Sequence, residues 1–221
     1  MEKYKFTGET KTIDLPFGTV TLHRIKAVVE FGLVKVGDLG GWIEKEENLS
    51  HEENAWVCGN AWVYGDAEVC GNAKVCGNAK VYGDAEVYGN AWVRGNAEVR
   101  GNAKVYGDAE VYGDAKVYGD AEVRGNAKVY GNAEVYDNAK VFSADHVLVM
   151  GAIGSRNDFA TFFRNKDNEI TVKCGCFLGK IDKFLEKVTQ THKDTKHALV
   201  YRAAVEVAKL QIDLTEKSTR R

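Results

Sequence analysis

The 221-residue chain carries 30 basic and 32 acidic residues, a net charge of -2, so no chain-wide positive field attracts nucleic acid or anionic lipid. Its length can bury one or two sizeable cores without a metal or a disulfide framework. It has no apolar run of the roughly 20 residues that cross a bilayer, and its polar N-terminus does not resemble a signal peptide. We therefore expect a soluble, cytoplasmic protein with no membrane partner, and the balanced charge disfavours a nucleic-acid partner.

Residues 1–48 predict a β-rich N-terminal cap. Strand-like runs occupy residues 4–6, 19–25 and 34–36, and Pro16, the single proline, lies in the first loop. The stretch GGWIEKEENLS at residues 40–50 places Ile43 and Leu49 six positions apart. This spacing predicts an irregular first turn of the structure that follows.

From Ala55 the sequence repeats every six residues, as in AWVCGN, AWVYGD and AEVCGN. Alanines from Ala55 to Ala139 in steps of six give (139 − 55)/6 + 1 = 15 units without an insertion. Alanine and valine alternate with outward residues, which is the period of a strand with one buried face. The following Gly-Asn or Gly-Asp pair tolerates tight turning, so each short strand ends in a corner.

This repeat closely resembles that of hexapeptide-repeat proteins, which implies that three such sides close one turn of 18 residues. Residues i and i+18 should then lie on neighbouring turns and suit one another. The outward residues are compatible in this way. Residues 18 apart form three columns, and the sign of the charge alternates along most of their length. The columns are Trp62, Lys80, Glu98, Lys116 and Glu134; Glu68, Glu86, Lys104, Glu122 and Lys140; and Trp56, Lys74, Trp92, Glu110 and Lys128.

The repeat weakens after residue 141. Val147 keeps the aliphatic register, but Asp145 replaces the inward alanine, and we expect the chain to leave the coil near Gly151. Residues 159–164 and 170–176 predict two strands around the turn sequence Asn-Lys-Asp-Asn. Residues 178–192 and 195–213 predict two helices. The predicted domains are therefore a cap at 1–48, a coil at 49–150 and a small α+β unit at 151–221.

The repeated Val and Ala positions closely resemble hexapeptide-repeat proteins, which implies a mainly β, left-handed parallel β-helix of three sides and about five coils. The segments GDLGGWIEKEENLS and FRNKDNEITVKCGCFLGKIDKFLEKV resemble accessory proteins encoded by phages and prophages. This second resemblance implies a mobile-element origin and no settled activity.

Catalytic chemistry finds little support in the sequence. Many hexapeptide-repeat proteins are acyltransferases with a histidine on the coil and a pocket between subunits of a trimer, yet no histidine lies between Asn54 and Asp145. His51 and His146 fall at the coil edges. Five cysteines without a CxxC pair suggest reduced thiols, and Cys174 and Cys176 lack further metal ligands. We predict no catalytic residues, metal or cofactor.

The outward aromatic and arginine residues are the candidate binding residues, because interfaces are enriched in Trp, Tyr and Arg. These residues are Trp56, Trp62, Tyr64, Trp92, Arg94 and Arg100. The sequence favours a non-enzymatic binding or scaffold protein with a host protein as its partner. The alternatives are a self-assembling homo-oligomer, an acyltransferase acting at a trimer interface, and a protein that holds a small nucleotide between subunits. No sequence motif supports the nucleotide-binding alternative. The alternative without a binding role is that these aromatic side chains pack under the N-terminal cap or stack on Lys74.

Overall fold

The computed structural model describes residues 2–16 and 18–215. The N-terminal region is a long antiparallel hairpin of β1 (Tyr4–Leu15) and β2 (Gly18–Ala27), and β2 also pairs with β3 (Leu39–Ile43). Residues 34–36, predicted as a strand, form only an isolated bridge from Val34 to Phe31. The cap is β-rich, as the sequence predicts.

The repeat forms a parallel β-solenoid with three faces. Its first face contains β3 and then β5 (Trp62–Gly65), β8 (Lys80–Gly83), β11 (Glu98–Gly101), β14 (Lys116–Val117) and β17 (Glu134–Val135). The second face contains β4 (Trp56–Val57), β7 (Lys74–Val75), β10 (Trp92–Val93), β13 (Glu110–Val111) and β16 (Lys128–Val129). The third face contains β6 (Glu68–Val69), β9 (Glu86–Val87), β12 (Lys104–Val105), β15 (Glu122–Val123) and β18 (Lys140–Val141).

Neighbouring turns stack in the i to i+18 register, which confirms the predicted period. On the first face, for example, Glu98 pairs with Lys80 on one side and with Lys116 on the other. The irregular first turn is also confirmed, because Ile43 pairs in parallel with Val63 and Leu49 forms a parallel bridge to Val69. This extra turn brings the solenoid to about six turns.

The solenoid core consists of the repeated alanines and valines, which are almost completely buried from Ala55 to Val141. Their β-strand alternation directs them inward, and the outward residues alternate with them. Backbone hydrogen bonds join the turns, as from the Trp92 N–H to the Ala109 carbonyl at 2.9 Å. Corner amides add a second set, in which the Asn72 side chain donates to Asn90 at 3.2 Å. Successive turns are therefore held together both along the strands and at the corners.

The C-terminal unit is a four-stranded antiparallel sheet with two helices. Its elements are β19 (Val147–Ile153), β20 (Asp158–Arg164), β21 (Ile170–Cys174), β22 (Phe177–Lys180), α1 (Ile181–His192) and α2 (Lys196–Gln211). Short 3-10 helices also occur at Glu46–Asn48 and Ala144–His146.

This unit has two more strands than the sequence predicts. Leu178 is not the start of a helix, because Gly175 (φ 54°) reverses the chain and Leu178 then pairs with Lys173 in β22. The parallel strands run from Leu39 to Val141, so the predicted coil range of 49–150 is displaced towards the C-terminus. The chain turns away soon after Val141, and Gly151 already belongs to β19.

The C-terminal sheet covers the last turn of the solenoid. Phe163 is fully buried in the same apolar cluster as the coil valines. The Thr161 hydroxyl accepts a hydrogen bond from the Glu134 N–H at 3.0 Å, and the Lys166 N–H donates to the Asn138 carbonyl at 3.1 Å. Backbone groups at the end of a solenoid lack a further turn to pair with, and these contacts supply partners for several of them.

Candidate binding surface

The N-terminal hairpin lies over the outside of the first face. Leu22 of β2 packs with Trp42 and Tyr64 in a buried cluster, and the Lys11 ammonium lies 5.2 Å from the centre of the Trp62 ring. Tyr64 is only 7% exposed as a result. The expectation that Tyr64 presents an open surface is therefore wrong, since a much earlier segment of the chain covers it.

Trp56 is covered in the same way and is 5% exposed. Its ring meets the edges of Tyr4 and Phe31, with ring centres 6.4 Å and 5.4 Å away. The Tyr4 hydroxyl donates to the Leu49 carbonyl at 2.8 Å, which fixes this contact to the first turn. The expected exposure of Trp56 is wrong as well, and the predicted alternative of packing under the cap describes this residue correctly.

Trp92 remains open to solvent and lines a cleft of about 610 Å³ on the second face. One wall of the cleft is the N-terminal loop that carries Leu33 and Val34, and Trp56 and Lys74 contribute to its lining. Trp92 is 41% exposed and Leu33 is 87% exposed. We call this cleft, with these five residues, the tryptophan groove.

Leu33 is a site residue that the sequence interpretation missed. Its signal is the apolar run Phe31-Gly32-Leu33-Val34, in which Gly32 has a φ of 52° and turns the chain. A large aliphatic side chain at the tip of a tight loop is more informative than one within a strand, because no neighbouring strand covers it.

Lys74 gives the tryptophan groove a positive charge. It lies in register between Trp56 and Trp92 on the neighbouring turns. Within residues 2–16 and 18–215, no carboxylate lies within ion-pair distance of its ammonium. An apolar cleft with one unneutralised cation favours a ligand that combines an apolar group with a negative charge.

Arg94 flanks the tryptophan groove, but its charge is already engaged. Its guanidinium lies 4.5 Å from the ring centre of Trp92 and 4.4 Å from that of Tyr112, and it is 3.0 Å from the Glu110 carboxylate. Hydrogen bonds from Lys128 and Arg94 lower the pKa of Glu110. Arg94 therefore supports the Trp92 ring from beside the groove.

The six predicted residues do not form one surface. Trp56, Trp92 and Arg94 lie together on the second face. Trp62, Tyr64 and Arg100 belong to the first face, where Arg100 stacks 4.5 Å from the ring centre of Tyr118. Since the hairpin covers Trp62 and Tyr64, the predicted binding residues that remain accessible to a partner are Trp92 and its neighbours.

Two cysteines predicted to be reduced form a disulfide. Cys58 and Cys76 are 18 residues apart, so the solenoid register places them on adjacent turns of the second face with a Cα–Cα distance of 4.7 Å. This distance lies within the range that a disulfide bridges. Cys70, Cys174 and Cys176 are free thiols. The sequence interpretation missed the pair because it treated the cysteines by their number and not by the register of the turns.

The two edge histidines have structural contacts. The His51 ring stacks on Tyr4 with ring centres 4.3 Å apart, and its Nδ1 accepts a hydrogen bond from the Lys3 N–H at 3.1 Å. His146 is buried, and its Nδ1 accepts from the Phe142 N–H at 3.0 Å. In the part of the chain that the structure describes, no three His, Cys, Asp or Glu residues are grouped to hold a metal ion.

A second cleft, of about 280 Å³, lies between the solenoid and the C-terminal sheet. Its lining is mainly polar and its two lysines are already engaged, because the Glu134 carboxylate lies 3.7 Å from the Lys116 ammonium and 3.0 Å from that of Lys173. Asp114 and Asp158 also line it, so the cleft offers neither an extended apolar surface nor a free cation. The tryptophan groove is the better candidate for binding a partner.

Comparison of the chain with protein-family models and with curated proteins gives no match. Neither α1 nor α2 has the length and apolar character that a membrane-spanning helix requires, and these are the α-helices of residues 2–16 and 18–215.

Proposed function

We propose that this protein is a non-enzymatic binding scaffold that presents the tryptophan groove to a protein partner. The observation that carries the proposal is that Trp92 and Leu33, two exposed apolar side chains, line the same cleft. Large exposed apolar side chains that share a cleft are typical of protein interfaces, where aromatic anchors dominate the binding energy.

The solenoid suits this role because it holds the Trp92 backbone in place. The Trp92 N–H donates to the Ala109 carbonyl at 2.9 Å, and the Lys74 N–H donates to the Ala91 carbonyl, also at 2.9 Å. A binding site on a hydrogen-bonded sheet loses less conformational entropy on association than one on a mobile loop. The Leu33 loop supplies the second wall, and it is closed by the Val34 N–H, which donates to the Phe31 carbonyl at 2.8 Å.

The charge of Lys74 defines the chemistry of the partner. We propose a segment with an apolar side chain that enters beside Trp92 and a carboxylate that approaches the Lys74 ammonium. A carboxylate brought to a partly desolvated lysine contributes mainly to specificity and to the rate of association.

The resemblance of residues 37–50 and 163–188 to phage and prophage accessory proteins supports two finer parts of the proposal. The chain would be encoded by a phage or another mobile element, and the partner would be a protein of the host bacterium whose activity is blocked by binding in the host cytoplasm. The tryptophan groove supplies the surface through which such a block would act.

The groove is tested by crosslinked pull-downs from bacterial lysate with two variants. Trp92→Ala and Leu33→Asp should each weaken capture of a specific partner by at least about tenfold, which corresponds to the roughly 1.4 kcal/mol or more of an interface anchor. Tyr130→Ala is the matched control, because Tyr130 is 52% exposed on the same face and lies outside the groove. Retention of every partner by both groove variants would reject the proposal.

The partner chemistry is tested with a displayed peptide library. Peptides selected on the wild-type protein should combine Asp or Glu with a large apolar residue, and Lys74→Glu should reverse the preference towards Lys or Arg. Light scattering of the same samples shows whether a second copy of the chain fills the groove instead. A dimer or trimer that Leu33→Asp dissociates would replace the partner proposal with self-assembly.

A further inference from the structure

The C-terminal unit contains a pocket that is separate from the tryptophan groove and does not depend on the function proposed for it. The pocket has a volume of about 330 Å³ and opens between α1, α2 and the turns that precede β20 and β22. We call it the C-terminal pocket and define it by Phe177, Phe184, Val188, Tyr201, Arg156 and Lys187. Its volume falls at the lower end of the range for small-molecule sites.

The floor of the C-terminal pocket is apolar and aromatic. The ring of Phe184 lies 5.2 Å from that of Phe177 and 5.5 Å from that of Tyr201. Phe184, Val188 and Tyr201 are themselves buried in the core of the unit, so the lining is held by packing. A preformed apolar lining of this kind binds an aliphatic chain or a single ring.

The floor also carries no charge at neutral pH. Cys174 lies in the same pocket, and burial raises the pKa of its thiol. Burial likewise raises the pKa of the Tyr201 hydroxyl. A raised thiol pKa disfavours the thiolate that nucleophilic chemistry requires, so the neutral floor points to binding and not to catalysis.

The rim of the pocket is positive. Arg156 and Lys187 both line it, and no carboxylate in the described residues lies within ion-pair distance of either side chain. The rim also includes Asp158, whose carboxylate accepts a hydrogen bond from the Phe159 N–H at 2.7 Å. The lining therefore includes two cations without an ion-pair partner among the residues that the structure describes, and one carboxylate that already accepts a hydrogen bond.

We propose that the C-terminal pocket binds a small amphipathic anion, with its apolar chain on the Phe177, Phe184 and Val188 floor and its carboxylate or phosphate at Arg156 and Lys187. A free medium-chain fatty acid has this chemistry through its carboxylate, and a phospholipid has it through an acyl chain and its headgroup phosphate. The apolar floor supplies affinity through buried area, and the cations supply selectivity for the anionic end.

The test is calorimetric titration of the full chain with decanoate below its micelle concentration. We expect one decanoate bound per chain, with binding to decan-1-ol weaker by about tenfold or more because a charge-assisted hydrogen bond is lost. The double variant Arg156→Ala/Lys187→Ala should lose this preference. Lys183→Ala is the matched control, because it removes the same charge from α1 at a site that is paired with Glu186 and lies outside the pocket.

The position of the ligand is tested by alkylation of the free thiols. Cys176 is exposed and lines the pocket, so saturating decanoate should slow its reaction with a maleimide by at least about fivefold. Cys70 lies on the solenoid and serves as an internal control whose rate should not change. Unprotected Cys176 in the presence of bound decanoate would overturn the assignment of the pocket.

Vesicles distinguish a free fatty acid from a lipid surface. Sedimentation with phosphatidylglycerol vesicles should leave the protein in the supernatant if the pocket takes single molecules. Vesicle binding that disappears in the double variant, together with no titration by decanoate, would assign the two cations to a membrane surface and overturn the proposal. Absence of binding to both probes would overturn it equally.

Discussion

The corner glycines of the solenoid satisfy two separate requirements. Gly89 has a φ of 68°, and a Cβ placed on it would lie 2.9 Å from the backbone N of Gly107 on the next turn. Gly131 has a similar φ of 63°, but such a Cβ would meet nothing within 4 Å, because no further turn stacks there. Asp137, with a φ of 57°, occupies a corner position of the last turn. A corner of the last turn requires only a left-handed φ, which a residue with a side chain can adopt. A corner with another turn stacked on it also leaves no room for a Cβ.

Alanine substitution separates these requirements. Gly131→Ala should cost about 1–2 kcal/mol, the usual penalty of a left-handed φ for an alanine. Gly89→Ala carries the same conformational strain plus overlap with backbone, which adds about 1–3 kcal/mol. Urea denaturation of both variants measures the difference. Equal losses of stability would show that the turns can separate locally and that the close approach is not a constraint.

Residue direction was predictable from the sequence, whereas residue exposure was not. The two-residue period determines that Val57 and Ala61 point inward and that Trp56 and Tyr64 point outward. Whether an outward residue is exposed depends on distant segments, and Tyr4 and Leu22 cover these two. Long-range cover of this kind leaves no signal in a local pattern.

At the scale of elements, outward columns of residues stack along each face. On the third face, Lys104 lies 2.7 Å from Glu86, and Lys140 forms an ion pair with Glu122. Tyrosines stack in the adjacent column, where the ring centres of Tyr88 and Tyr106 are 4.7 Å apart. These ion pairs remain partly open to solvent, and ion pairs that water can screen contribute little individually, so the stacked rings and the backbone hydrogen bonds hold the faces together.

The tyrosine columns make the solenoid sensitive to alkali. Burial raises the pKa of Tyr64 and of Tyr118 to about 12, from the ordinary value of 10.0. Between these values the folded state keeps a proton that the unfolded state releases, so the stabilisation is complete below about pH 10 and is lost as the pH rises towards 12. Tyr118→Phe should therefore reduce the loss of stability across this window. The measurement is guanidinium denaturation at several pH values.

A control for the alkaline prediction is Tyr130→Phe. Tyr130 is half exposed, so its replacement removes a hydroxyl at the surface and should leave the pH profile close to that of the wild type. If Tyr118→Phe and the wild type lose stability in parallel from pH 10 to 12, burial of Tyr118 does not couple to folding.

Prediction of the secondary structure elements succeeded in the repeats. It failed where the assignment depended on one short apolar run. Fifteen units with the same Ala and Val positions leave no ambiguity of period, while the run at residues 177–180 is compatible with a strand or a helix. It forms β22 because β21 offers it an open edge, with Cys174 paired to Phe177. That edge is a property of the tertiary structure.

The whole molecule is a stack of turns closed at both ends. Tyr4, Ile25 and Ala27 from the N-terminal region and Phe163 from the C-terminal sheet join the same apolar cluster as the coil valines. In such a stack each turn contacts mainly its neighbours, so stability is close to a sum over turns and interfaces. The tryptophan groove depends on this packing of the N-terminal region against the first turn, because that packing places the loop bearing Leu33 beside Trp92.

From Lys80 to Glu134 on the first face and from Glu86 to Lys140 on the third, the charge pattern repeats every two turns, although the backbone repeats every turn. On the first face Glu98 lies between Lys80 and Lys116, and on the third face Lys104 lies between Glu86 and Glu122. A given charge therefore returns at every second turn, and the turn between carries the opposite sign. Opposite charges in direct register stabilise a sheet, and like charges destabilise it.

Duplication of whole turns tests this two-turn period. Repeating residues 91–126 adds two turns and preserves the alternation on the first and third faces. Repeating residues 109–126 adds a single turn and places Glu110, Lys116 and Glu122 each beside its own copy. Both proteins should fold, because whole turns keep every inward residue inward. Since stability is close to a sum over turns, the insertions are compared by the stability gained per added turn, and the one-turn insertion should gain about 0.6–3 kcal/mol less per turn because of its three like-charge pairs.

Salt identifies the cause of this difference. The like-charge pairs are partly exposed, so raising the ionic strength to about 1 M, where the Debye length is about 3 Å, should bring the stability gained per added turn in the two insertions closer together. A deficit that persisted at high salt would place the cost in packing or in corner geometry. An equal gain of stability per added turn at low salt would mean that the alternating charges are incidental to the stack, and that the valine core and the backbone hydrogen bonds alone determine which turns can be neighbours.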